Sequence, residues 1–210
     1  MVSKIVRPVL AMFAMVSLFG CGDEIDHGSG AAAPEAAERH DSEEDEVNEP
    51  LNADAIPVAH TPEGGYDEIP LPILAGCTEP LSDGAVDMRG WWEVTEVVVG
   101  GERATEHQMM GVRQRIEQCG NRVVITSGGV VHDMRVDGTE ENGVNDVAEI
   151  DYKTAITVVA TFEDGVHVLR PVGIPIEVTR TLDGDELLWN YAGIETRARF
   201  LGPVDEVPAD

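Results

Sequence analysis

Basic charge is scarce in this 210-residue chain: 14 lysines and arginines face 40 aspartates and glutamates, for a formal net charge of -26. That balance excludes a surface built to hold nucleic acid or anionic lipid headgroups, both of which need clustered cations. Cysteine is rarer still, with three in all, and neither a paired Cys motif nor an H-E-x-x-H accompanies the six histidines. The common zinc frameworks are thereby excluded. His27, His40 and His60 fall in an acidic stretch, and His107, His132 and His167 are isolated. The sequence also lacks G-x-S-x-G, a phosphate-binding glycine loop, and EF-hand spacing in the acidic loop Asp137 to Asp146. A non-enzyme without cofactor or metal is therefore expected. Long apolar runs are missing as well. The run Val9 to Gly20 would extend about 18 Å as a helix, against about 30 Å of bilayer hydrocarbon.

What that run does have is context. Lys4 and Arg7 precede it, Gly20 closes it, Cys21 follows, and Asp23, Glu24 and Asp26 come at once after that. This is the basic, apolar, small-residue order of a secretory leader. Leu18-Phe19-Gly20-Cys21 resembles the lipobox of bacterial lipoproteins, with Phe19 departing from the small residue usual at its place. The resemblance implies a signal peptide over residues 1–20 and lipidation of Cys21, with acyl chains such as palmitate. Two or more such chains tether a protein stably to a membrane. Gly22, where an Asp would signal inner-membrane retention, implies a lipid-anchored place in the cell envelope, at the outer membrane and facing the periplasm. Leu74-Ala75-Gly76-Cys77 matches the lipobox as a string but lacks the basic and apolar regions upstream, and is taken as coincidence.

Between Asp23 and Asp83 the one basic residue is Arg39, and prolines recur at 34, 50, 57, 62, 70, 72 and 80. Residues 21–86 are accordingly expected to be a lipidated Cys followed by a disordered, self-repelling acidic linker, and residues 203–210 a disordered acidic tail. With Cys21 acylated, Cys77 and Cys119 are left as two thiols in an oxidising compartment, and a disulfide between them is expected. Closing such a loop contributes about 3 to 5 kcal/mol in the chain-entropy view.

From residue 87 to residue 202 short β-branched runs alternate with turn residues. Expected strands are Trp91 to Val99, Val112 to Cys119, Arg122 to Thr126, Val130 to Val136, Asp146 to Tyr152, Ile156 to Phe162, Val166 to Arg170, Pro175 to Leu182, Glu186 to Tyr191 and Ile194 to Leu201. Hairpin signals at Gly120-Asn121, Gly128-Gly129, Asp164-Gly165, Asp183-Gly184 and Ala192-Gly193 separate them. Glu102 to Gly111 is the one place for a short helix or lid. Consecutive hairpins predict an all-β fold, an up-and-down antiparallel β-barrel of about 8 to 10 short strands, because closure removes exposed edges.

Gly90-Trp91-Trp92 opens the first strand as a G-x-W. Ile116-Glu117-Gln118 and Gly120-Asn121-Arg122-Val123-Val124-Ile125 follow as strand, turn and strand, and Thr196-Arg197-Ala198-Arg199 lies on the last strand. Together these resemble a bacterial lipocalin-like domain over residues 88 to 201. The resemblance implies an eight-stranded calyx that takes a small apolar ligand, with a Trp at its floor and a final-strand Arg packed near it.

Alternation assigns faces. Trp92, Val94, Glu96 and Val98 share one side, as do Val130, His132, Met134 and Val136; so do Ile156, Val158, Ala160 and Phe162, then Ile176, Val178, Arg180 and Leu182, then Leu187, Trp189 and Tyr191. If these point inward, Glu96, His132, Arg180 and Trp92 are the candidate ligand-binding residues. Arg180, with His132, would hold a carboxylate or head group; an internal Arg180 to Glu96 pair is the structural alternative, and Trp92 as core packing is another. Two functions follow. One is a tethered barrel that binds or carries a small hydrophobic or amphipathic ligand; the other is a solidly packed barrel that engages another envelope component.

Overall fold

The computed structural model describes residues 51–208. The expected leader, Cys21, the linker as far as residue 50, and residues 209 and 210 lie outside the described residues. Eleven antiparallel strands form one sheet: β1 (Gly90–Val99), β2 (Glu102–Arg103), β3 (Arg113–Cys119), β4 (Arg122–Ser127), β5 (Val130–Arg135), β6 (Val144–Val147), β7 (Ala155–Glu163), β8 (Val166–Pro171), β9 (Val178–Asp183), β10 (Glu186–Tyr191) and β11 (Ile194–Gly202). No α-helix occurs among the described residues. Ten strands run round a barrel in chain order, and β11 returns to pair with β1, while β2 merely extends one end of β1. β5 and β6 share no ladder, so the barrel is nearly closed.

The turns come from the residues that favour them. Cys119 faces Arg122, Ser127 faces Val130, Glu163 faces Val166 and Tyr191 faces Ile194, which leaves two-residue turns at four of the five expected places. The fifth is Gly184-Asp185, one residue later than expected. β6 ends at Val147 rather than reaching Tyr152, because the Asp151 carboxylate accepts from the Lys153 and Thr154 amides and closes a local turn. β9 begins at Val178, beyond Pro175. Glu102 to Gly111 forms no helix; it holds β2 and a chain of turns that lets Met109 drop into the core. Gly90 opens β1 at φ 134, and a Cβ there would lie 2.3 Å from Phe200 Cε2. This close approach accounts for the glycine of the G-x-W.

Inward side chains build one core from Trp92, Val94 and Val97 through Ile125, Met134, Val158, Leu169, Val178, Leu187, Trp189 and Ala198. A second, outer cluster contains Ala53, Leu74, Cys119, Val124 and Val131. It exists because residues 51–86, expected to be disordered, are folded as a strap against the outside of β3, β4 and β5. Two buried ion pairs fasten it. Arg122 makes a bidentate pair with Asp133 (Nε to Oδ1 2.8 Å, Nη2 to Oδ2 2.6 Å) and gives its other donors to the carbonyls of Ala53, Ile56 and Pro57. Asp133 in turn accepts from the Ala59 amide at 2.8 Å. Arg115 donates to Glu117 and to the carbonyls of Pro70 and Leu71, and Glu117 accepts from the Leu74 amide. Extended, proline-containing chain leaves its carbonyls unused by secondary structure, so the arginines find acceptors there. Enthalpy from these charge-assisted bonds offsets the ordering entropy that the composition alone could not.

The expected disulfide is present. Cys77 and Cys119 join with Cα atoms 6.2 Å apart, and Leu74 beside it is buried, so the lipobox-like string there belongs to the strap. The beginning of the expected C-terminal tail also packs, since the Trp91 indole N–H donates to the Val204 carbonyl at 3.3 Å.

Candidate functional site

Alternation on β9, β10, β8 and β3 aims Arg180, Trp189, His167 and Gln114 into the lumen. Arg180 faces both His167 and Trp189 across the sheet ladders, so the three side chains sit at one level. Arg180 is 6 % exposed, its guanidinium stacks 5.1 Å from the Trp189 ring, and its Nε donates to Gln114 Oε1 at 3.0 Å. β9 and β3 are well separated round the barrel, so this bond spans the interior. No carboxylate pairs with Arg180 among the described residues; Glu149, on the loop after β6, supplies the acidic field that reaches it. Burial brings the Arg180 pKa down to about 10, which leaves the group charged at neutral pH.

Around this cation the polar atoms are left over. Arg180 Nη1, Trp189 Nε1, Gln114 Nε2 and both ring nitrogens of His167 are buried without a hydrogen-bond partner. A buried donor without an acceptor costs about 1–3 kcal/mol. His167 is fully buried against Phe162, ring centroids 5.3 Å apart, and burial followed by the charge of Arg180 holds its pKa down at about 3. Its ring is therefore neutral, with one donor and one acceptor. The lumen thus presents one positive charge and an excess of donors, ringed by Val94, Ile125, Met134 and Val178. Such a setting favours a single anionic acceptor group carrying an apolar body.

The candidate residues fare differently. Arg180 is central. His132 points inward near it; its Nε2 lies 3.2 Å from the Val147 carbonyl oxygen and so carries the proton, and burial lowers its pKa. Trp92 lies beside Gln114 in the β1–β3 ladder, but its indole N–H already donates to the Met88 carbonyl at 2.8 Å and its ring meets Phe200 edge-on. Trp92 is therefore packed in the core, with its N–H satisfied, and is not a polar contact for a head group.

Glu96 is not in the lumen. Val94 faces Ala198 and Glu96 faces Arg197, which makes Thr95 an extra residue, a β-bulge that turns Glu96 and Val98 outward and brings Val97 in. Glu96 pairs with Arg103 at 2.6 Å on the outside, so the internal Arg180 to Glu96 pair is ruled out. Nor does a final-strand arginine pack on the tryptophans of the G-x-W. Arg197 binds Asp183 and Glu186, Arg199 binds Glu93, and the cation over Trp91 is Arg115 of β3, at 5.5 Å. Gln114 and His167 were not anticipated. Each is a lone polar residue at an inward position, and only knowledge of the cross-barrel neighbours marks it out.

No protein-family model matches this chain, and no curated protein matches it.

Proposed function

We propose that the chain is a lipid-anchored envelope protein whose lipocalin-like barrel binds a small amphipathic molecule, with the anionic head group held at Arg180. The anchor is Cys21, and the place is the outer membrane facing the periplasm, both on the strength of the leader pattern in residues 1–21. One observation carries the binding reading: among the described residues Arg180 is buried with no carboxylate bonded to it, amid buried donors that lack acceptors. A purely structural barrel would bear these costs for nothing, whereas a bound carboxylate would supply the acceptors that Arg180 Nη1 and the Trp189 and Gln114 donors lack. The reading is of a carrier rather than a catalyst. The Thr196 hydroxyl beside Trp189 is occupied by a backbone carbonyl at 2.9 Å, and the neighbouring imidazole of His167 is neutral with no group to activate.

The experiment is a fluorescence titration with cis-parinarate, a conjugated fatty acid, against the purified protein. A charge-assisted hydrogen bond contributes about 1.5–3 kcal/mol, so Arg180→Met is expected to weaken binding by about tenfold to a hundredfold. The methyl ester of the probe should bind weakly to both proteins. Equal affinity of wild type and Arg180→Met for the acid would end the proposal.

A further inference from the structure

The polar atoms of the lumen are closed off from solvent, so a ligand held there has to pass through the wall or the mouth. We infer that the seam between β5 and β6 is the entry route and that Thr61 of the strap is its latch; this rests on the lumen-binding reading above. Every other neighbouring pair of barrel strands shares a backbone ladder, while these two share none. Part of what closes the gap belongs to the strap. The Thr61 hydroxyl accepts from the Val131 amide at 3.0 Å and lies 3.4 Å from the Val131 carbonyl oxygen, satisfying the free edge of β5 from the side. The Thr61 amide donates to Asp146 Oδ2 of β6 at 2.9 Å, so one residue holds both edges.

Direct links across the seam are few. The Arg135 amide donates to the Asn142 carbonyl at 2.7 Å, the His132 ring donates to the Val147 carbonyl at 3.2 Å, the Tyr152 hydroxyl beyond β6 donates to the Gly128 carbonyl at 2.8 Å, and past the end of β5 an isolated bridge joins Asp137 to Thr161 of β7. Beside His60, the residue before Thr61, a cavity of about 250 Å³ opens between strap and seam and extends to the core residue Met134. On the inward face of β5, opposite Ile125, His132 lies within the field of Arg180. Opening elsewhere breaks a ladder of three to eight paired residues, such as the six between β4 and β5; opening here breaks scattered side-chain and single backbone links and no ladder between the two strands. The buried Arg122–Asp133 pair holds the strap in place just before the latch, which lets Thr61 swing without releasing the strap as a whole.

Thr61→Val keeps the shape and removes the hydroxyl. Two measurements on the purified full chain test the inference: amide hydrogen exchange at Val131, and stopped-flow association and dissociation of cis-parinarate. The expected result is faster exchange at Val131 with both rates raised by about tenfold and their ratio unchanged, as the loss of a hydrogen bond from the closed state predicts. Met109→Ala, which loosens the core at the turns between β2 and β3 instead of the seam, should raise the rates less. Faster rates in Met109→Ala than in Thr61→Val, or faster exchange in Thr61→Val with unchanged rates, would overturn the portal. Absence of probe binding to the wild type would overturn the lumen reading and the portal's role with it. Slow, ladder-like exchange at Val131 in both proteins would sink the latch alone.

Discussion

His167 makes folding stability depend on acid in a way that can be calculated. Its pKa is about 3 in the folded protein against 6.5 in an unfolded chain. The unfolded state therefore takes up a proton that the native state refuses, and stability is lost as pH falls from 6.5 toward 3; above that window the effect is absent. Between pH 8 and pH 5 the linkage amounts to about 2 kcal/mol, since the unfolded histidine is almost fully protonated at pH 5 and the native one is not. Other groups titrate over the same range, including His132 and the many carboxylates, so the comparison has to be with His167→Phe. Phenylalanine fits beside Phe162 and removes both unpartnered ring nitrogens. Urea melts of the two proteins at pH 8 and pH 5 give the assay. Wild type should lose about 2 kcal/mol more than His167→Phe over that interval. Equal losses would show that His167 is not held neutral by its surroundings, and the description of the lumen as an apolar site around one cation would be wrong.

Two further outcomes concern the strap. Arg122→Met leaves Asp133 buried without its partner and strips donors from three strap carbonyls, which should cost about 3–5 kcal/mol; Arg122→Met with Asp133→Leu should recover part of that, measured by urea denaturation and by proteolysis of residues 62–68. Cys77→Ser releases a bond that closes a sequence separation of 42 residues. It should lower stability by about 4 kcal/mol in the chain-entropy view, and an unchanged denaturation midpoint would mean that the other strap contacts already restrain the unfolded chain.

The barrel was legible because hairpin chemistry and period-two alternation are local. Gly120-Asn121 or Ala192-Gly193 announces a turn with no knowledge of what lies across the sheet, and His132 and Arg180 were assigned to the lumen by counting. Counting failed at Glu96, because a bulge at Thr95 is decided by the fit of β1 to β11 rather than by the sequence of β1. The strap was missed for a different reason. Its own composition is that of a linker; what orders it is the outer face of β3 to β5. A signal was present there: Val123-Val124-Ile125 and Val130-Val131 are consecutive apolar residues rather than alternating ones, and β3 and β4 are buried on both faces. Runs of that kind mark strands covered on two sides. The paired charges Arg115 with Glu117 and Arg122 with Asp133 carry no local sign of burial, which is set by the strap, a long-range partner.

The central claim, that an anionic head group completes the polar centre of the lumen, is tested most directly by the NMR signals of that centre. One equivalent of a fatty carboxylate added to ¹⁵N-labelled protein should shift the indole N–H of Trp189 and the side-chain amide of Gln114 downfield as they gain an acceptor, while the Trp91 indole, bonded to Val204 outside the lumen, stays in place. Unmoved Trp189 and Gln114 side-chain signals, with changes confined to residues on the outside of the barrel, would contradict it.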